Sequence, residues 1–120
     1  MRRKALALEK SEKLSKFLKN SFDLACYSEL SSAVKALKEE RFEGVFLSAE
    51  DEDIEHTIGI FFRRNPLLTF VLFSKTPEEI SSNIENLVDL VAQFPPDDQE
   101  IERINSLFMK KDILNECELV

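Results

Sequence analysis

Apolar residues along the chain form two alternating patterns, short continuous runs and stripes with helical spacing. The runs predict five strands, at 4–8, 22–27, 42–48, 67–73 and 87–92. The stripes predict five helices, at 11–18, after Ser28, at 53–64, from Thr76 and at 97–115. Such alternation predicts an α/β fold, a doubly wound parallel sheet with helices on both faces, because parallel strands need crossover connections.

Residue types at the helix starts sharpen these boundaries. Ser28 is a good N-cap for the second helix, and Thr76 precedes a proline and two glutamates, which favours a helix start. On the inner side of that fourth helix we expect Ile80, Ile84 and Leu87. Asp97 and Glu100 form a second capping pair, which begins the last helix.

The third run, 42–48, ends at Ser48 and leads directly into the acidic stretch 49–53. Its continuous apolar character is typical of a central strand that is covered on both faces. Sites in open α/β sheets lie beyond the carboxyl ends of the strands, so Ser48 lies where chemistry is expected. A serine at a strand end also commonly bonds to nearby backbone groups.

Charge and composition narrow the classes of function. The 120 residues fit one domain with a net charge of −7, but residues 1–20 carry +5 and the remainder −12. This acidic body argues against nucleic acid as a direct partner. The series Lys13, Lys16 and Lys19 is either a docking face or, as we prefer, a solvated helix face. No run is long enough for a membrane span or a signal peptide, so a cytoplasmic location is expected.

Sequence motifs for metals and nucleotides are missing. Cys26 and Cys117 lie in no metal-ligand spacing, and the chain has one histidine, His56, so a zinc site is not expected. Cys26 is predicted to be a small buried residue, and Cys117 a thiol in the tail. The chain has two glycines, so it contains neither the G-x-G-x-x-G loop that binds dinucleotides nor the G-x-x-x-x-G-K loop that binds nucleotide triphosphates. We therefore expect no cofactor and no metal.

Five strand–helix repeats between Lys4 and about Asn115 resemble a response-regulator receiver domain, a flavodoxin-like (βα)5 fold. The resemblance implies one receiver-like domain at 1–115 and a tail at 116–120 that could begin a linker to an output domain. It also implies which residues of this chain correspond to the residues of a receiver's phosphorylation site. The acidic pair falls on Glu9 and Lys10, the phosphoacceptor on Ser48, the hydroxyl on Ser74, the lysine on Gln93 and the aromatic switch residue on Leu90.

These departures predict a degenerate pocket, and so a pseudo-receiver that is not an enzyme. A receiver aspartate attacks phosphorus as a carboxylate, whereas the hydroxyl of Ser48 needs a base. Lys10 replaces a magnesium ligand by a positive charge, and Gln93 removes the cation that steadies phosphoryl oxygens. Two alternatives stay open: an active receiver with displaced acids at Glu9, Glu50 and Asp51, or a sensor that holds a small anion near Ser48, Ser74 and Lys10.

Receivers commonly pair or dock through the face of the fourth helix, fifth strand and fifth helix. The resemblance therefore implies a protein partner or a homodimer in bacterial signal transduction or transcription control. On this face the sequence places mostly polar residues, together with one aromatic residue: Glu79, Asn83, Asn86, Asp89, Phe94, Glu102, Arg103 and Lys110. Receivers often have a cis proline after the fifth strand, which here is either Phe94-Pro95 or Pro95-Pro96.

Overall fold

A single parallel sheet forms the centre of the protein in the computed structural model, which describes residues 2–9, 13–50 and 53–118. Its order is β2-β1-β3-β4-β5, with every strand pairing parallel. The strands are β1 Arg3–Leu8, β2 Phe22–Tyr27, β3 Gly44–Ser48, β4 Thr69–Ser74 and β5 Leu90–Gln93. The helices are α1 Lys13–Leu18, α2 Leu30–Glu39, α3 Ile54–Arg64, α4 Ser82–Glu85 and α5 Asp98–Glu118. The predicted doubly wound α/β fold is confirmed.

Two apolar cores lie on opposite faces of this sheet. Successive residues of a strand point to opposite faces, so Val45 joins the core under α2 and α3, whereas Phe46 joins the core under α1 and α5. The Phe46 ring meets Phe22 and Phe73 edge-on, at centroid distances of 4.9 and 5.8 Å. All residues of β4 are buried, as are four of the five in β3. This burial confirms that the third run is a central strand.

The fourth helix is much shorter than the sequence predicted. Pro77–Glu79 forms only a 3₁₀ turn, and the Thr76 side chain makes no capping bond to it. Ile80 then adopts extended backbone with φ −67° and ψ 131°, which interrupts the helix. A new start at Ser81, where Oγ accepts the N–H of Ile84 at 3.4 Å, yields the single turn α4. The predicted inward position of Leu87 is therefore wrong, since 46% of this residue is exposed.

Other boundaries also differ from the sequence prediction. Glu29 rather than Ser28 is the N-cap residue of α2, and it makes no side-chain capping bond. The Asp97 cap is confirmed, since its Oδ1 accepts the N–H of Glu100 at 2.8 Å. Helix α5 continues to Glu118, three residues beyond the predicted end.

Two further features concern β2 and the end of β5. Cys26 is exposed rather than buried, because β2 is an edge strand covered less completely than the central strands. The side chain of Cys117 lies outside the described residues. The peptide bond between Phe94 and Pro95 is cis, which decides between the two alternatives left open above. Within the described residues, no helix is long and apolar enough to cross a membrane.

Candidate functional site

A cavity of about 300 Å³ opens at the carboxyl edge of the sheet, beyond β1, β3 and β4. It brings together Glu9, Ser48 and Ser74, three of the positions that the receiver resemblance singled out. Neither Gln93 nor Leu90 lines it, while Lys10 and Asp51 lie outside the described residues. The lining consists of Glu9, Leu14, Ser48, Ala49, Glu50, Phe73, Ser74, Lys75, Thr76, Glu79, Ile80 and Phe94.

Glu9 follows the last residue of β1 and is 8% exposed. Its two carboxylate oxygens accept the backbone N–H of Leu14 at 2.7 and 3.0 Å. The first N–H groups of a helix have no partner within the helix, so this carboxylate satisfies one of them in the first turn of α1. The acid that survives in the predicted pocket is thus engaged in holding α1 against the sheet.

Ser48 and Ser74 end neighbouring strands and make the same local bond. The Ser48 Oγ accepts the N–H of Glu50 at 3.3 Å, and the Ser74 Oγ accepts the N–H of Thr76 at 3.0 Å. Each hydroxyl therefore closes a turn two residues beyond its strand, the backbone role that the sequence predicted for Ser48. Ser74 is the more enclosed of the two, with only 6% of the residue exposed.

Gln93 ties the end of β5 to the loop that follows β4. Its side-chain amide donates to the carbonyl oxygens of Lys75 and Phe94, both at 3.0 Å. Lys75 in turn pairs with Glu50, with 3.3 Å between Nζ and Oε1. Both side chains of this ion pair are about 60% exposed, so it contributes little to stability. Together these contacts link the ends of β3, β4 and β5.

Leu90 lies at the opposite end of β5 from the cavity. It is the register partner of Val71, and its partly buried side chain packs against the core under α5. A residue at the start of a strand cannot contact a pocket at the carboxyl edge, so Leu90 does not contribute to this site.

The charged side chains that line the cavity are mostly acidic. Among the described lining residues, Glu9, Glu50 and Glu79 carry carboxylates, and Lys75 is the one cation. Within residues 2–9, 13–50 and 53–118, no group of three His, Cys, Asp or Glu side chains is arranged to hold a metal ion. None of the described lining residues is a histidine, so Ser48 has no imidazole base beside it.

Solved structures with the same architecture include response-regulator receiver domains. The response-regulator receiver domain (CheY-like) from Methylobacillus flagellatus superposes with a TM-score of 0.71 at 18% identity, covering 90% of this chain and 99% of that chain. A response regulator from Thermotoga maritima gives 0.74 at 15% identity, with coverages of 91% and 99%. The chain has a receiver fold. An adenylate cyclase from Rhodopirellula baltica is similar too, with a TM-score of 0.76, 13% identity and coverages of 98% and 96%.

Comparisons at the level of sequence find no relative of this chain. No protein-family model matches the chain, and no curated protein does. Identities of 13–18% show the fold alone, so the chemistry has to be argued from the residues of this chain.

Sequence reasoning missed Lys75 as a residue of the site. Lys75 directly follows Ser74, and this position just beyond the end of a strand could have identified it as a residue of the site. Glu79 and Phe94 were assigned to a partner face, yet both line the cavity. The Phe94 ring packs edge-on against Phe17, with 5.7 Å between the ring centroids.

The predicted partner face contains residues with different surroundings. Asn83, Asn86, Glu102 and Lys110 are exposed, as is the edge of the cavity at Glu79. Arg103 pairs with Glu100 at 2.8 Å on its own helix.

Asp89 is the exception on this face, because both of its oxygens are engaged. Oδ2 accepts the N–H of Phe70 at 2.8 Å, and Oδ1 pairs with Nζ of Lys111 at 2.9 Å. Asp89 therefore joins β4, β5 and α5 within the molecule. The sequence also missed Leu87, which adds an exposed apolar side chain beside this face.

Proposed function

We propose that this chain is a pseudo-receiver, a non-enzymatic regulatory module in bacterial signal transduction or transcription control that does not accept a phosphoryl group. The observation that carries the proposal is Ser48 at the end of β3, with its Oγ 3.3 Å from the N–H of Glu50. A hydroxyl needs a base before it attacks phosphorus. The buried carboxylate nearby, Glu9, already accepts hydrogen bonds from the first turn of α1.

The contacts between the strand-end loops support a fixed conformation. The Gln93 side chain donates to the carbonyl oxygens of Lys75 and Phe94, which joins the end of β5 to the loop after β4. A switch needs a ligand or modification that favours one of two arrangements. We infer that the pseudo-receiver presents one arrangement to its partner.

The cavity favours a second candidate, a sensor for a small ligand. Its volume of about 300 Å³ reaches the lower end of the range for small-molecule sites. The described lining carries three carboxylates and one cation, which disfavours the anion that the sequence suggested. The other alternative is an active receiver with displaced acids at Glu9, Glu50 and Asp51. Glu9 and Glu50 already have partners within the protein, and Asp51 lies outside the described residues.

Thermal unfolding with magnesium and beryllofluoride separates these functions. The pseudo-receiver should melt within about one degree of the untreated protein, because no aspartate at the end of β3 receives the analogue and binding alone would raise stability. Mass spectrometry after incubation with acetyl phosphate should find no aspartyl phosphate.

Each other result identifies a different function. Stoichiometric phosphorylation, or a large rise in the melting temperature with beryllofluoride, would contradict the pseudo-receiver proposal and support an active receiver with displaced acids. A shift with inorganic phosphate alone would support the anion sensor. A matched variant, Ser48→Asp, tests whether restoring the carboxylate is sufficient for binding the analogue.

We further propose that the face of α4, β5 and α5 contacts a protein partner or a second copy in the cytoplasm, with no direct role for nucleic acid or membrane. The charges on this face are divided. Exposed acids lie on the 3₁₀ turn and α4, at Glu78, Glu79 and Glu85. The exposed bases Arg103 and Lys110 lie on α5, together with one exposed acid, Glu102. A twofold axis would bring the acidic half of one copy against the basic half of the other, which makes the surface self-complementary.

A further inference from the structure

Five cations lie in or just after the carboxyl-terminal halves of α2 and α3, two helices that pack on the same face of the sheet and share one core. All five are exposed, and none of them takes part in an ion pair within the described part of the chain. This basic patch consists of Lys35, Lys38, Arg41, Arg63 and Arg64. Three acids lie nearby. Glu40 pairs with Lys4 and Glu43 pairs with Arg3, whereas the exposed Glu39 offsets one of the five charges and leaves the patch positive. In a chain of net charge −7, the basic patch is an exception.

Two large apolar side chains adjoin the basic patch. Phe62 is 53% exposed and Leu67 is 68% exposed. They lie three residues before and two residues after the C-cap Asn65, on either side of the end of α3. Cations in a last helical turn are favoured by the helix dipole, which explains Arg63 and Arg64 but not the exposed apolar surface beside them.

Gly59 extends this surface along α3. A Cβ built on Gly59 would meet no atom within 4 Å, so nothing inside the protein requires a glycine there. Glycine in a helix interior costs roughly 1 kcal/mol relative to alanine. Gly59 precedes Phe62 and Arg63 by three and four positions, which places all three on adjoining parts of one helix surface. The bare backbone lets another chain approach closely beside the phenylalanine.

We propose that the basic patch, with Phe62 and Leu67, binds an acidic segment of another protein that carries a large apolar side chain. The apolar side chain would cover Phe62 and Leu67, while carboxylates pair with Arg63 and Arg64, whose guanidinium groups suit bidentate contact. Exposed phenylalanine and leucine favour a protein over a nucleic acid, and so does the acidic body of the chain. None of these residues lines the cavity at the carboxyl edge of the sheet, so the proposal stands independently of the pseudo-receiver function.

Fluorescence anisotropy with a labelled peptide, in which glutamate alternates with leucine and phenylalanine, tests the proposal. We expect saturable binding at low salt that weakens at high salt as charges are screened. The variant R63E/R64E should weaken binding roughly tenfold or more, because it replaces attraction by repulsion. F62A should weaken binding several-fold at unchanged net charge. The control K16E/K19E makes the same change in charge at the end of α1 and in the turn after it, and should alter affinity less than about twofold.

Three results would overturn the proposal. One is equal binding of a polyglutamate peptide or of a single-stranded oligonucleotide, since either would mean attraction to any polyanion. The second is an equal loss of affinity in K16E/K19E. The third is the absence of binding at low salt. Melting curves check that each variant is folded, and R63Q/R64Q replaces the charge reversal if that variant is unstable.

Discussion

The two glycines of the chain have opposite surroundings. A Cβ on Gly44, at the start of β3, would lie 2.5 Å from Cζ of the buried Phe108 and 3.0 Å from the carbonyl oxygen of Thr69. Glycine there permits α5 to pack closely on the sheet. Gly59 has open space instead. Sequence alone could not distinguish them, because the close contact of Gly44 comes from a helix more than fifty positions later.

We therefore expect alanine substitutions of opposite sign. Gly44→Ala should lower the free energy of unfolding by about 1–3 kcal/mol, since Phe108 and the backbone of Thr69 must move. Gly59→Ala should raise it by about 0.5–1 kcal/mol through helix propensity. Urea unfolding of both variants measures the difference. A destabilised Gly59→Ala protein would contradict the open surroundings described for α3.

At the scale of elements, ion pairs at the amino-terminal edge of the sheet hold α5. Lys111 contacts Asp89 at 2.9 Å, and Arg3 contacts Asp112 at 2.7 Å and Glu43 at 3.0 Å. Burial alone would lower the pKa of Arg3, but the hydrogen bond and charge of Asp112, together with Glu43, raise it. The helix is thereby fixed to the starts of β1 and β5 as well as to the core.

Asp89→Ala should lower the free energy of unfolding by about 1–3 kcal/mol, because it removes the acceptor for the Phe70 N–H and the partner of Lys111. Glu102→Ala is the matched control on the same proposed face. Its side chain is exposed, so the change should stay within about 0.5 kcal/mol. Chemical denaturation compares the two variants. Equal effects would mean that the contacts of Asp89 with Phe70 and Lys111 do not stabilise the protein.

At the scale of the whole molecule, the distribution of charge defines two separate surfaces. One surface is formed by α4, β5 and α5 and carries both acidic and basic residues. The other is the basic patch on α2 and α3, which pack on the opposite face of the sheet from α5. If the first surface pairs two copies, the association should be detectable by sedimentation at low salt and weaken as salt rises.

Two variants test this pairing. R103E/K110E replaces two bases of α5 by acids, and E78K/E85K replaces two acids of the 3₁₀ turn and α4 by bases. Each variant should be monomeric because like charges then meet across the axis. Mixing them should restore association, since the substituted positions of one copy then meet opposite charges on the other. Association of either variant alone, or a monomeric mixture, would contradict pairing through this face.

The sequence by itself determined the number and kind of most elements, the buried third strand and the positions at the strand ends. These follow from hydrophobic periodicity and capping residues, which are local properties. It did not determine where α4 ends, because the interruption at Ile80 follows capping signals that favoured a continuous helix.

Only the tertiary structure decided which distant side chains meet. It placed Asp89 against Phe70 and Lys111, exposed Cys26 on an edge strand and left five cations in or just after α2 and α3 exposed on one face of the sheet. It also engaged Glu9 and Gln93 in bonds to α1 and to the loop after β4. Such contacts depend on how elements pack across the sheet, which a local pattern of polar and apolar residues does not encode.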